Sequence, residues 1–479
     1  MIGALLLVGT ALAAPPNLML ISIDGMRADR AGFHGASPSP TPSLDRLVDD
    51  ALICELSLSQ SNESLFSHAA LLAGRHVSEL GRPDYTRFTL ADEVMLLPEI
   101  LGLYGYTTGG FVAGGHVKGG YGFSQGFATW YDEPDFGAFI HTVPVALDWL
   151  DHQAIQPWFM FLHGYDAHRP YQHFGLYFHV FGRDYDGDVD SIGNRNSVEK
   201  IIDGVYYEDF PIEFFWHEGV GDKILDPGGY LRLRAWAASH EGRKLSAADL
   251  QHLKDHYDSG VLSADLQVGR VMDHLKATGQ WQDTLVIITA DHGEDMGDHG
   301  TFNHRSSLAD SATRVPLMIT GGALPEHLRG TRIPGPCEAL DVVPTMLAAA
   351  GAVPPAGLRG HDLLHDPSGH EFVIQEGVLP MLAVRSPTHR LLVSGIPLDT
   401  PLLHLMVQSA PIQAPTFQLF DLTHDPTETV DVLDEQMDVA LELRAALLEW
   451  LTEREASEHL GQQPLDPQFR AILQSRGYW

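Results

Sequence analysis

Two aspartates and a serine define the chemistry open to this chain. Asp24 ends the apolar run Asn17-Leu-Met-Leu-Ile-Ser-Ile23, and Asp291 ends Thr284-Leu-Val-Ile-Ile-Thr-Ala290. Both runs are too continuously apolar for a half-exposed strand and read as strands buried on both faces. Each then breaks into a glycine-containing polar segment, Gly25-Met-Arg27 and His292-Gly-Glu294. In an open parallel sheet, ligands gather beyond the carboxyl ends of the strands. Two acids delivered there from distant parts of the chain suit a shared cation; the plainer alternative is that each caps the turn or helix that follows it. Ser64 stands in Asn62-Glu-Ser-Leu-Phe-Ser-His-Ala-Ala-Leu-Leu-Ala-Gly-Arg75. There residues 67–73 have helix-forming composition, and Gly74 suits the C-terminal cap. A site just ahead of a helix N-terminus favours an oxyanion on the side chain or on a bound tetrahedral anion. As a nucleophile Ser64 needs a metal or a base to lose its proton near neutral pH; otherwise it is a helix cap.

These side chains need a scaffold. Residues 107–113, 158–162 and 315–320 add strand candidates, and helical signals at 44–50, 143–151 and 248–278 separate them. In the last, Leu250, Leu253, Val261, Leu266, Val268 and Leu275 fall roughly on one face. Strands alternating with helices predict an α/β fold, a large mostly parallel sheet covered by helices on both faces. Residues 172–250 interrupt that rhythm with aromatics and acids, including Phe174, Tyr177, Phe178, Phe181, Tyr206 and Tyr207. Such a long insertion behind a site-bearing loop predicts a cover over the pocket mouth. Within it, Asp184-Tyr-Asp-Gly-Asp-Val-Asp190 lacks the glycine and glutamate spacing of a calcium loop and reads as a solvated acidic turn. The link Pro354-Pro-Ala-Gly-Leu-Arg-Gly360 predicts a boundary between a catalytic domain over 15–355 and a smaller α+β domain over 361–479. The latter has short antiparallel strands near 372, 382 and 391 and an amphipathic helix over 440–454.

Composition narrows the function. A chain of 479 residues, 44% hydrophobic, can bury a large core. Its formal net charge of -33 excludes a general nucleic-acid binder and repels anionic substrates at long range. An enzyme acting on anions with this balance must concentrate positive charge locally. Beyond the N-terminus no apolar run is long enough to be a transmembrane segment. Residues 1–14 read as a secretory signal, with a short apolar core and Ala11-Leu-Ala13 as the cleavage pattern, though without a basic flank. They predict a periplasmic or secreted protein; the rivals are an extended first strand or a start codon set too far downstream. Cys54 and Cys337, the only cysteines, either pair in an oxidising compartment or remain buried thiols.

An ordered series of motifs then resembles the sulfatases of the alkaline phosphatase superfamily. It runs Ile21-Ser-Ile-Asp-Gly-Met-Arg-Ala-Asp29, Thr41-Pro-Ser-Leu-Asp-Arg-Leu47, Ser64-x-x-Ser-His-x-x-Leu-Leu-x-Gly-Arg75 and Gly105-Tyr-Thr-Thr108. Leu162-His-Gly-Tyr-Asp-Ala-His-Arg-Pro-Tyr171, Tyr257-Asp258 with Asp265, and Thr289-Ala-Asp-His-Gly-Glu294 continue it. Arg314-Val-Pro316, Asp341-Val-Val-Pro-Thr345, Leu419-Phe-Asp-Leu-Thr-His-Asp-Pro-Thr-Glu428 and Arg476-Gly-Tyr478 complete it. Each motif alone is weak; the order across nearly the whole chain is specific. The resemblance implies that Asp24, Asp291 and His292 hold one divalent metal ion, with Ser64 facing it. It implies that His168 and His304 contact the ester's anionic oxygens or its leaving group, a role a histidine fills because its pKa lies near working pH. His68, His116 and Lys118 follow as further substrate contacts, whereas His34, His76, His163 and His299 carry no assignment.

Three departures from the family pattern bear on mechanism. Gly25 stands where many sulfatases have a second acid, and His292 where asparagine is frequent. One carboxylate fewer and one imidazole more suit calcium less, and manganese, zinc or magnesium more. The pattern Cys/Ser-x-Pro-x-Arg, which directs oxidation of its first residue to formylglycine, reads Ser64-Leu-Phe-Ser-His68 here. Losing both proline and arginine argues against that modification. The resulting expectation is a metal-dependent hydrolase of small anionic sulfate esters. Its alternatives are a phosphate or phosphonate ester hydrolase or transferase using plain Ser64, and a non-catalytic binding homologue.

Overall fold

The structure, a computed structural model, describes residues 14–80, 89–169 apart from 92, 236–300, 302–395 and 416–458, with scattered positions between 171 and 207 and residues 407–408. The apolar segment 1–13, most of the insertion (including Phe174, Phe178, Phe214, Phe215 and Trp216) and the tail beyond 460 lie outside the described residues. So do the expectations placed on them.

The strand Asn17–Ile23 lies at the centre of a nine-stranded sheet, paired in parallel with Trp158–Gly164 on one side and Thr284–Thr289 on the other. Continuous apolar sequence produces this because both faces are covered. Leu18 and Leu20 enter the core beneath the helices Ser64–Ala73, Leu97–Leu103 and Val342–Ala349. Met19, Ile21 and Ile23 enter the opposite core, beneath Phe139–His152 and Ala247–Ala277. The longest of these helices starts at a capping box, in which Ser246 Oγ accepts from Asp249 N (3.2 Å) and the Asp249 carboxylate accepts from Ser246 N (2.8 Å).

Some expectations change. Residues 315–320 form two short strands, Arg314–Val315 and Leu317–Thr320, that run antiparallel to their neighbours, so the sheet is mixed at this end. Residues 44–50 form separate turns, Pro42–Asp45 and Val48–Asp50, in place of one helix. Two further strands, Leu52–Leu58 and Thr331–Glu338, pair in parallel. Cys54 and Cys337 bridge them as a disulfide with Cα atoms 6.3 Å apart. The second of these strands carries Pro334 and Pro336 and tolerates them because it is an edge strand whose register shifts between Ile333 and Pro336.

A separate antiparallel sheet orders Val373–Glu376, Met381–Arg385, His389–Ser394 and Phe417–Asp421, with Met437–Glu458 packed on it. Its strand Val373–Glu376 reaches the segment ahead of Ser64. Glu376 N donates to Gln60 O (2.8 Å), and Ser61 Oγ donates to Glu376 O (2.7 Å). Among the described residues no helix is long and apolar enough to cross a membrane.

Candidate active site

Three adjacent parallel strands point their carboxyl ends at one place. The first delivers Asp24, the second His163 at its end and His168 beyond it, and the third Asp291 and His292. Leu52–Leu58 is antiparallel to Leu317–Thr320, which is antiparallel to Thr284–Thr289, so it points the same way and leads into Ser64. Between strand and helix, Gln60, Ser61 and Asn62 are fully buried and tied down. Asn62 Nδ2, for instance, donates to Ser307 O at 2.8 Å.

The helix begins at Ser64, with Glu63 as its N-cap residue, and Gly74 closes it in the left-handed conformation (φ 63°). Ser64 is therefore not the cap. Its hydroxyl faces His292 instead, with Oγ 3.1 Å from Nε2. His292 Nδ1 donates to Gly293 O (2.8 Å), which leaves the Nε2 lone pair directed at the centre. Burial pulls this imidazole down to about 4, so it is neutral at pH 7.

His292 Nε2 also lies 3.3 Å from Asp291 Oδ2 and 3.8 Å from Asp24 Oδ1. Those same two carboxylate oxygens are buried without any hydrogen-bond partner. Burial and the neighbouring Asp291 hold Asp24 well above the usual carboxylate range. Two facing carboxylates, two unsatisfied oxygens and one imidazole lone pair within 4.8 Å of one another form a donor set that fits a divalent cation. The remaining oxygens are already in use. Asp291 Oδ1 accepts from Gly25 N (3.1 Å), and Asp24 Oδ2 lies 3.2 Å from His163 Nε2. Gly25, with φ at 72°, makes that turn, and a Cβ there would come within 3.3 Å of His168 Cα. Tyr257 clamps the same turn by donating to Gly25 O (2.9 Å) and accepting from Arg27 N (2.8 Å).

His168 and His304 join the site. Their rings lie 5.1 Å apart, and His304 stacks on His292 at 4.0 Å. The two differ in character. Burial, with His304 and His292 beside it, holds His168 well below the usual histidine range, and its Nδ1 meets Arg169 O at 2.5 Å. His304 lies between Glu294 (3.4 Å) and Glu63 (3.6 Å); burial works to lower its pKa, but the two carboxylates raise it overall.

The other expected contacts have protein partners of their own. His68 is fully buried, its Nδ1 at Ser64 O (2.8 Å) and its Nε2 at Ser22 Oγ (3.0 Å), so it supports the helix and strand from beneath. His116 pairs with Glu63 (2.8 Å), and Lys118 pairs with the exposed Asp135 (2.5 Å). Sequence reasoning passed over His163, Glu63, Glu294 and Arg305. His163 had a usable signal, since it too ends a buried strand next to the one carrying Asp24. Glu63 offered only its place beside Ser64.

The sulfatase family profile matches residues 16–352. The chain belongs to the sulfatase family. Over 407 residues this chain is 22% identical to an N-acetylglucosamine-6-O-sulfatase of Bacteroides thetaiotaomicron, covering 73% of this chain and 70% of that protein. It is 35% identical over 127 residues to the multifunctional alkaline phosphatase superfamily protein PehA of Trinickia caryophylli, 26% of this chain and about a quarter (24%) of that protein. Its fold matches a protein solved in complex with its substrate D-glucosamine-2-N,6-O-disulfate (TM-score 0.67, 18% identity, 94% of this chain and 100% of the other). It matches the phosphonate monoester hydrolase of Agrobacterium radiobacter about as well (TM-score 0.65, 18% identity, 92% and 96% covered).

Proposed function

We propose that this sulfatase-family protein hydrolyses sulfate esters by in-line attack from Ser64, with Asp24, Asp291 and His292 holding one divalent ion. The observation that carries the reading is Ser64 Oγ at 3.1 Å from His292 Nε2, beside the two unpartnered carboxylate oxygens. A divalent ion so held supplies positive charge that eases loss of the Ser64 proton and offsets charge on the ester. Ser64 Oγ gives its proton to solvent and bonds to sulfur as the bond from sulfur to the alcohol oxygen breaks. His304, whose protonated form Glu63 and Glu294 favour, gives its proton to the departing alcohol. In the second half, water attacks the sulfur of the sulfoserine, His168 takes its proton and passes it to Ser64 Oγ as the bond from sulfur to Oγ breaks, hydrogen sulfate leaves, and His304 regains a proton from solvent. The opposed shifts of His168 and His304 support this division of labour.

A second reading, hydrolysis of phosphate or phosphonate esters by plain Ser64, is favoured by Phe66 and His68 replacing the proline and arginine of the modification pattern. The Cys54–Cys337 disulfide supports an exported, oxidising location for either enzyme. The test compares wild type and Ser64→Ala on aryl sulfate, aryl phosphate, phosphodiester and phosphonate esters, with mass spectrometry of the Ser64 peptide from the native host. The variant should fold, yet lose turnover by roughly a thousandfold or more on the class the parent prefers. The ester class that the wild type prefers decides between the two readings; unmodified serine is expected at position 64, and formylglycine there would overturn the plain-serine route. Wild-type rates in the variant on every ester would refute Ser64 as nucleophile.

A further inference from the structure

Glu63 is an unusual neighbour for a nucleophile, a fully buried carboxylate one residue ahead of Ser64. It is paired with basic side chains of the wall that faces the ester. Arg305 meets it through Nε and, at 3.3 Å, through Nη2; His116 Nδ1 lies at 2.8 Å and His304 Nε2 at 3.6 Å. Glu294 holds the other side of His304. Two carboxylates are therefore set among His116, His304 and Arg305, so the positive charge of this wall is offset by buried negative charge. Opposite it, Asp24 and Asp291 would balance a divalent ion.

Building on the proposed ester chemistry, we propose that Glu63 is a specificity-determining residue that selects esters bearing a single negative charge on the transferred group. Sulfate monoesters, phosphodiesters and phosphonate monoesters fall within that class; doubly charged phosphate monoesters fall outside it. The second charge of a phosphate monoester meets a buried carboxylate whose field is only partly screened. Glu63 and Arg305 must then act in opposite directions, because one supplies the charge and the other neutralises it.

The test measures the ratio of kcat/KM for an aryl phosphate to that for an aryl sulfate or a methyl aryl phosphodiester in the metal-loaded full chain. Glu63→Gln, which keeps the side-chain shape, should raise the ratio by about tenfold or more, and Arg305→Gln should lower it. A residue needed only for packing would depress both substrates together in both variants, and that result would overturn the proposal. A second arm needs no turnover, only binding of inorganic phosphate and sulfate to metal-loaded wild type and Glu63→Gln, followed by calorimetry. In wild type, phosphate should weaken relative to sulfate as pH rises through phosphate's second ionisation, near neutrality, and Glu63→Gln should reduce that weakening. Parallel behaviour of the two anions would count against charge selection. Failure of every ester to turn over would instead strike at the Ser64 mechanism, and the anion arm would still decide the role of Glu63.

Discussion

Two buried charge clusters in this molecule are built on opposite plans. Where the C-terminal sheet meets the main sheet, Arg390 is enclosed by Asp310 (2.6 Å) and Glu428, and Arg385 adds a second bond to Asp310 (3.1 Å). Glu428 also accepts from Asp310 N at 2.7 Å. Opposite charges meet within the chain, and the guanidinium planes match the carboxylates. At the active site, Asp24 and Asp291 face one another across neutral imidazoles, with an oxygen of each left unpartnered. A charge that the protein neutralises itself fastens two parts of the fold. A charge left uncompensated in a dry site awaits a ligand.

The contrast breaks most sharply at Arg390. Arg390→Met strands the buried Glu428, while Asp310 keeps Arg385, and should cost about 3–5 kcal/mol, read as a fall in the urea midpoint, while metal content stays at the wild-type level. A smaller effect is expected from Asp24→Asn in chelator-treated protein. Removing one of two facing carboxylates should leave stability within ~1 kcal/mol of the metal-free parent, or above it. A loss as large as that of Arg390→Met would show that Asp24 is structural after all.

The smallest effect belongs to an intermediate cluster. Glu338 accepts from Gln60 Nε2 (2.7 Å), and burial with the adjacent Asp341 pushes it up to about 8 from an ordinary 4.5. The folded state thus holds a proton that the unfolded chain releases. Its contribution is fully present below about 4.5 and is lost as pH rises through about 8. Glu338→Gln, which mimics the protonated form, should flatten the decline in urea midpoint toward alkaline pH and change little in mild acid. An unchanged slope would contradict the assignment.

These comparisons also show which features were legible in the sequence. Asn17–Ile23 and Thr284–Thr289 could be read because burial on both faces forces unbroken apolar sequence, and the carboxyl-end rule then located Asp24 and Asp291. Leu52–Leu58 was hidden because Glu55 and Ser57 interrupt it, and Thr331–Glu338 because proline normally excludes a strand. Ser64, His168, His292 and His304 came from an ordered family pattern. No local periodicity could have placed His304 against His292. Glu63 and Arg305, far apart in sequence, become partners only through the folded loops, so their pairing was invisible beforehand.

The central claim is that Asp24 and Asp291 share a cation in front of Ser64, and metal analysis of purified protein tests it most directly. Wild type should carry about one divalent ion per chain, and the double variant Asp24→Ala, Asp291→Ala should fold yet carry none. Full metal occupancy in that double variant would contradict the account.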